Sequence, residues 1–191
     1  MAKKMLFISS RPIFPITGGD QIRTAQQLEL LCQHFDVDVL YLTPNQEDVE
    51  VDKYVPVMGR TYRFPVNRFT HYAMTMRFLF NKLPLQVNYY YLPSVAKKID
   101  SIIRGYDAVF CNNIRTAEYA RRYPIVKYLD FVDAISMNYD KARQKAHGIK
   151  RLIYSIDYKR CRSYEQKCLE AFSSCAIISE VDNKYIQSCV R

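Results

Sequence analysis

Several features that a 191-residue chain could carry are missing from this one, and each absence excludes a class of protein. Its six cysteines (Cys32, Cys111, Cys161, Cys168, Cys175 and Cys189) never form a C-x-x-C pair, and none stands at zinc-ligand spacing from His34, His71 or His147. Zinc ribbons and thioredoxin-like redox sites are thereby excluded, and no metal is expected. Cys161, Cys168 and Cys175 recur every seven residues, but the first two fit the inner face of one helix, as buried free thiols. No stretch approaches the roughly 18 uninterrupted apolar residues of a membrane-spanning helix. The start, MAKKMLFISS, has neither a long apolar core nor a small-residue cleavage site, so a cytoplasmic protein is expected. The fingerprint G-x-G-x-x-G is absent, and the second apolar run ends Leu42-Thr43-Pro44 instead of in an acidic residue. Both marks of a redox dinucleotide site are missing. Acidic charge is also short, with 19 Asp and Glu against 28 Lys and Arg and a net charge of +9, which calls for an anionic partner or surface.

What is present is an ordinary globular composition, 49% hydrophobic and 25% charged, long enough for one well-buried core. A single domain over residues 1–191 is expected. The chain is organised around Met5 to His34: an apolar strand (Met5 to Ser9), a proline-punctuated loop, the pair Gly18-Gly19, and an amphipathic helix with Ile22, Ala25, Leu28, Leu31 and Cys32 at a 3.6 period. A helix start has unpaired amides and partial positive charge, so it attracts anions, and glycines ahead of it let a ligand approach the backbone. Thr17 and Asp20 have the spacing of a capping box. The same glycines also suit a plain turn.

Further strands are expected at Val37 to Leu42, Thr61 to Phe64, Tyr106 to Cys111, Ile125 to Phe131 and Cys175 to Ser179, with an acidic loop from Asn45 to Asp52. Asn67 to Asn81 reads as one broad apolar helix that should pack on the sheet and under a loop from Leu85 to Tyr91. Its Phe, Met and Arg content equally suits a bilayer surface or a lipid-like substrate. A helix is expected from Pro93 to Gly105, a short one capped by Asn113 over Ile114 to Arg122, and another from Ser136 to His147. A long helix from Lys150 to Phe172 is expected to turn Leu152, Ile153, Ile156, Tyr164, Cys168 and Leu169 inward. Between Lys141 and Lys167 nine basic residues face only Asp157 and Glu165.

Short apolar runs separated by helix-length segments indicate an α/β, Rossmann-like three-layer domain with a mostly parallel sheet. Ligands of such sheets bind beyond the carboxyl ends of the strands, where the strand order reverses. Four loops meet there: Ser10 to Asp20, Asn112-Asn113, Asp130 to Ser136 and Ser179 to Asp182.

The segments KKMLFISSRPIFPITGGDQIRTAQQLELLCQHFDVDVLYL, DFVDAISMNY and YEQKCLEAFSSCAIISEVDNKYI resemble the N-terminal domain of GT-B fold glycosyltransferases of the large family four. That family has P-x-x-G-G-x-x-x-R after its first strand and S-E-x-D after the last strand of the domain. The variant most similar to this sequence is the group of sugar transferases of exopolysaccharide synthesis. The resemblance implies the acceptor-side half of a two-domain enzyme, with a donor-binding domain following Arg191. That enzyme moves a hexosyl group from a nucleotide-diphospho-sugar, its co-substrate, to a glycan or lipid-linked acceptor. It implies amides of Gly18 and Gly19 near the donor diphosphate and a basic helix position at Arg23. Asn112, Ser179 and Glu180 would line the cleft. Where family members place a histidine this chain has Asp130 and Asp133. Asp133 is the candidate catalytic carboxylate, able to take a proton from an acceptor hydroxyl or to stabilise positive charge at the anomeric carbon, or else to cap the next helix. Strand alternation turns Asp130 away, toward a structural role.

The basic stretch Lys141 to Lys167 suits an anionic membrane at the inner face. A competing reading makes it a non-catalytic nucleic-acid- or anion-binding module with Tyr154, Tyr158 and Tyr164 interleaved. That reading leaves Gly18-Gly19 unused, and no nucleic acid is expected.

Overall fold

The computed structural model describes residues 3–44 and 59–188. Six parallel strands form one sheet: β1 (Lys3–Ser9), β2 (Phe35–Thr43), β3 (Thr61–Pro65), β4 (Ala108–Asn112), β5 (Val126–Asp130) and β6 (Ser174–Ala176), in the order β3-β2-β1-β4-β5-β6. Helices α1 (Gly19–Cys32), α2 (Arg68–Thr75), α3 (Leu85–Tyr90), α4 (Pro93–Ile102), α5 (Ile135–Lys145), α6 (Gly148–Ala171) and α7 (Glu180–Gln187) join them. The expected acidic loop Asn45 to Asp52 and Cys189 lie outside the described residues.

Parallel strands need crossovers, so both faces of the sheet are covered and Met5, Leu6, Phe7 and Ile8 are all fully buried. On one face Met5, Phe7, Val37 and Val39 pack with Ala25 and Leu28 of α1. On the other, Leu6, Ile8, Leu40, Val109, Cys111 and Leu129 pack with Val95 and Ile99 of α4 and with Cys161, Tyr164 and Cys168 of α6. The strand order reverses between β1 and β4. Register then aligns Ser9, Asn112, Asp130 and Ala176 side by side across β1, β4, β5 and β6, at one edge of the sheet.

Several expectations need correction. The segment 67–81 is not one helix packed on the sheet: α2 ends at Thr75, a 3-10 turn follows over Met76–Leu79, and neither piece contains a buried residue. It rests on α3, itself a helix where a loop was expected, with the His71 ring stacked on Tyr89 and the Arg77 guanidinium over Tyr91. Likewise Ile114–Tyr119 is a 3-10 turn, although Asn113 does cap it by accepting from the Arg115 amide.

Of the inward set expected on the long helix, Tyr164 and Cys168 are buried and Leu169 packs against the core, but the N-terminal members are not. Leu152, Ile153 and Ile156 are exposed, as is Ile22 on α1, whereas Asp157 and Glu165 are buried. Three hydrogen bonds from helix starts satisfy those two carboxylates. Asp157 accepts the first amide of α3, from Leu85, and Glu165 accepts the amide and hydroxyl of Ser136 in the first turn of α5. Neither α3 nor α5 has a capping side chain at its own N-cap, so α6 supplies acceptors that would otherwise be missing.

Candidate functional site

Where β1, β4 and β5 end, a cavity of about 380 Å³ opens. Its walls are the loop after β1 (Ser10, Arg11, Pro12), the first turns of α1 (Asp20, Gln21, Arg23, Thr24), Asn112 and Asn113 after β4, Val132 and Asp133 after β5, and Ile178, Ser179 and Asp182 before and within α7. All four loops expected to meet at the edge do so.

The capping box does not form. The N-cap of α1 is Gly18, in extended conformation, and no side chain caps the helix. Thr17 instead donates its amide and hydroxyl to the Gln21 side chain, whose amide nitrogen donates to the Pro12 carbonyl, so Gln21 staples the entry loop to the helix. Asp20 pairs with Arg11 at 2.7 Å. The first amides of α1 are thus left without a side-chain acceptor, beside the cavity. A Cβ at Gly19 would meet nothing within 4 Å, so no neighbour in the chain requires glycine there. Gly18, Gly19 and Glu180 are not among the wall residues, although each adjoins one that is, and Glu180 pairs with Lys184.

Asp130 is fully buried beneath the cavity. It accepts from Arg23 Nε at 2.9 Å and Nη2 at 3.2 Å, from Gln27 at 2.6 Å and from the Val132 amide at 3.1 Å. Asn112 donates to Thr24, whose hydroxyl donates to the Asp20 carbonyl, tying β4 to the start of α1. Arg23 is therefore a wall residue braced by a buried carboxylate, with Nη1 outside that fork.

Two residues of the wall have left-handed backbone, Asn113 at φ 72° and Val132 at φ 67°. Asn113, with ψ 146°, lies outside the left-handed helical well that asparagine tolerates, and a β-branched residue at positive φ is strained as well. Around Val132 the Asp133 amide donates to the Phe131 carbonyl, two residues back, in a γ-turn geometry that is rare. The turn sets Asp133 in the cavity wall, half-buried, with its carboxylate accepting from Asn138 at 2.6 Å. Asp133 does not cap α5, because Glu165 and Asp182 receive the amides there. Ser179 does both things expected of it: it lines the cavity and caps α7 by accepting from Val181 and Asp182.

Reasoning from the sequence missed Arg11, Arg115, Val132 and Asp182 as individual wall residues. Arg11 follows directly on β1 and could have been inferred from that position. Nothing local marks Val132. Among the described residues no cluster of His, Cys, Asp or Glu could hold a metal ion.

Fold and site together define a Rossmann-like α/β domain with a polar cavity at its topological switch point. No protein-family model and no curated protein matches the chain. Among solved structures it is similar to sucrose-phosphate synthase from Thermosynechococcus elongatus, at 14% identity and a TM-score of 0.65, over 97% of this chain and 45% of that one. It is also similar to TcCGT1 in complex with UDP, at 11% identity and a TM-score of 0.44, over 78% of this chain and 33% of that one. The chain thus spans less than half the length of either protein. The first likeness shows the fold: a Rossmann-like α/β domain like one that makes up part of that synthase.

Proposed function

We propose that the chain is the acceptor-side half of a hexosyl-transferring GT-B enzyme of the family-four type, acting in the synthesis of a cell-surface polysaccharide on the cytoplasmic side of the membrane. Its donor is a nucleotide-diphospho-sugar, its acceptor a glycan or lipid-linked glycan, and a donor-binding domain completes the cleft. The observation that carries this reading is the uncapped start of α1, opening at the switch-point cavity across from the Asp133 carboxylate.

In this reading the amides of Gly19 and Asp20 face the donor diphosphate, where a helix start is favourable to anions. An incoming diphosphate displaces Asp20 from Arg11, freeing a second cation. Arg23, fixed by Asp130, offers Nη1 to the cleft, and Asn112 and Ser179 complete its polar wall. Asp133 takes the proton of the acceptor hydroxyl or steadies positive charge developing at the anomeric carbon. The strained turn at Val132 holds that carboxylate in place. The acceptor enters past Arg115, which lines both this cavity and a neighbouring hollow with Tyr89 and Tyr90.

The test uses protein of full natural length, a panel of nucleotide-diphospho-sugars, and release of nucleoside diphosphate as the readout. Gly19→Val is informative because its side chain enters open space in the folded chain, leaving only the ligand's approach obstructed. It and Asp133→Asn are each expected to reduce turnover by about 100-fold or more with thermal unfolding unchanged. Undiminished turnover in both variants overturns the site.

A further inference from the structure

We propose that the flank formed by α2, its 3-10 turn and the exposed stripe of α6 is a docking surface for an anionic phospholipid bilayer, with lipid phosphates held in a lysine-edged hollow beside it. This does not rest on the reading of the switch-point cavity.

The first observation is unburied apolar surface at helical spacing. Phe69, Tyr72, Met76, Leu79 and Phe80 are all exposed, the two phenylalanines by 83% and 89%. On α6, Ile149, Leu152 and Ile156 recur at spacings of three and four residues with Ile153 beside them, and all four are exposed as well. Farther along the same stripe the exposed residues become Lys159, Ser163 and Lys167. With Lys82, Leu83, Ile156 and Arg160, these line a hollow of about 450 Å³. The two greasy segments are tied together at that point: Arg160 donates to the Phe78 carbonyl at 2.7 Å, and its guanidinium lies 3.8 Å from the centre of the Phe78 ring.

The second observation is charge segregation. The only acidic residues between Gly148 and Lys167, Asp157 and Glu165, are buried and cap other helices. The outer surface of this part of α6 therefore presents cations and hydrocarbon with no carboxylate. Lys82, Lys159 and Lys167 make no ion pair among the described residues. An apolar ridge beside unpaired lysines matches an interface of acyl chains and anionic headgroups. On α6 the ridge beside the lysines is isoleucine and leucine, which have no π-face for a base to stack on, so this part favours acyl chains over RNA. No helix among the described residues is long and apolar enough to cross the bilayer, so the surface lies on the membrane.

Flotation of the 191-residue chain with vesicles tests this. Binding is expected to phosphatidylcholine vesicles that contain phosphatidylglycerol, weakening with salt, and not to phosphatidylcholine alone. Combining Phe69→Ser, Phe80→Ser and Leu152→Ser is expected to lower partitioning at least about tenfold. Combining Lys82→Glu, Lys159→Glu and Lys167→Glu is expected to do the same, at about fivefold or more per lysine. All six side chains are exposed, so both variants should keep the wild-type circular dichroism and thermal transition. The proposal is overturned if the wild type does not float, if either variant floats like the wild type, or if single-stranded RNA is retained while vesicles are not. The apolar variant's response to pyrophosphate at the switch-point cavity separates failure here from failure of the sugar-transfer reading.

Discussion

Asp130 under the cavity and the pair Asp157 and Glu165 on α6 are equally buried carboxylates, yet the molecule compensates them differently. Asp130 meets a guanidinium fork, a side-chain amide and a backbone amide. Asp157 and Glu165 form no salt bridge among the described residues and sit instead at the starts of α3 and α5. Burial pushes both of their carboxyls up, with the helix-start bonds working against it. The difference teaches where the fold spends charge. A paired charge pins strand ends around the cavity, whereas carboxylates without an ion pair sit on the buried face of α6, opposite the exposed Ile149, Leu152 and Ile156.

The largest expected break in this comparison is Asp130→Ala. Removing it strands the Arg23 charge and two other donors, and should cost roughly 3 kcal/mol, at the low end for a buried pair because Arg23 is about one-third exposed. Denaturant titration checks this, and a loss below about 1 kcal/mol would put Asp130 on the same footing as a surface pair.

Next comes Glu165→Ala, which leaves the Ser136 amide and hydroxyl without acceptors and should cost about 2 kcal/mol. The milder Glu165→Gln reads out the pH dependence. Because the folded protein holds the Glu165 proton more tightly than the unfolded chain does, the stability this supplies is complete below the ordinary glutamate range. It is lost as pH rises through the raised value. The wild type should therefore lose ground to Glu165→Gln as pH climbs from about 4 toward neutrality, as followed by thermal melts. A gap that stays constant with pH contradicts the assignment.

A smaller effect, of opposite sign, is expected at the cavity wall. Val132→Gly relieves the strained φ and should raise stability by up to about 1 kcal/mol, while the turnover proposed for the full-length protein should fall, because Asp133 is no longer held. Smallest of all, Leu152→Ser should leave stability within about 0.5 kcal/mol, since the side chain is already 60% exposed. A larger loss would mean that Leu152 packs against the core after all.

The sheet was legible in the sequence because parallel strands buried on both faces read as nearly continuous apolar runs, such as Met5 to Ile8 and, interrupted only by Asp38, Val37 to Leu42. The cavity edge was legible for the same reason, since strand ends locate the loops. What was not legible depends on contacts distant in sequence. The buried face of α6 includes Asp157 reaching Leu85 and Glu165 reaching Ser136, 72 and 29 residues away. Apolar periodicity placed Tyr164 and Cys168 on that face correctly but put Leu152, Ile153 and Ile156 there too. Thr17 looked like a cap but was taken up by Gln21. The role of Arg23 depended on Asp130, 107 residues distant. The left-handed Val132 runs against its own residue type and left no local trace.

The central claim is that the uncapped start of α1 receives a diphosphate. The most direct measurement is titration of the isotopically labelled chain with pyrophosphate, followed by amide NMR shifts. Saturable shifts of the Gly19 and Asp20 amides, abolished in Gly19→Val, are the expected result. Shifts confined to Lys82, Lys159 and Lys167, with the α1 amides unmoved, would contradict it.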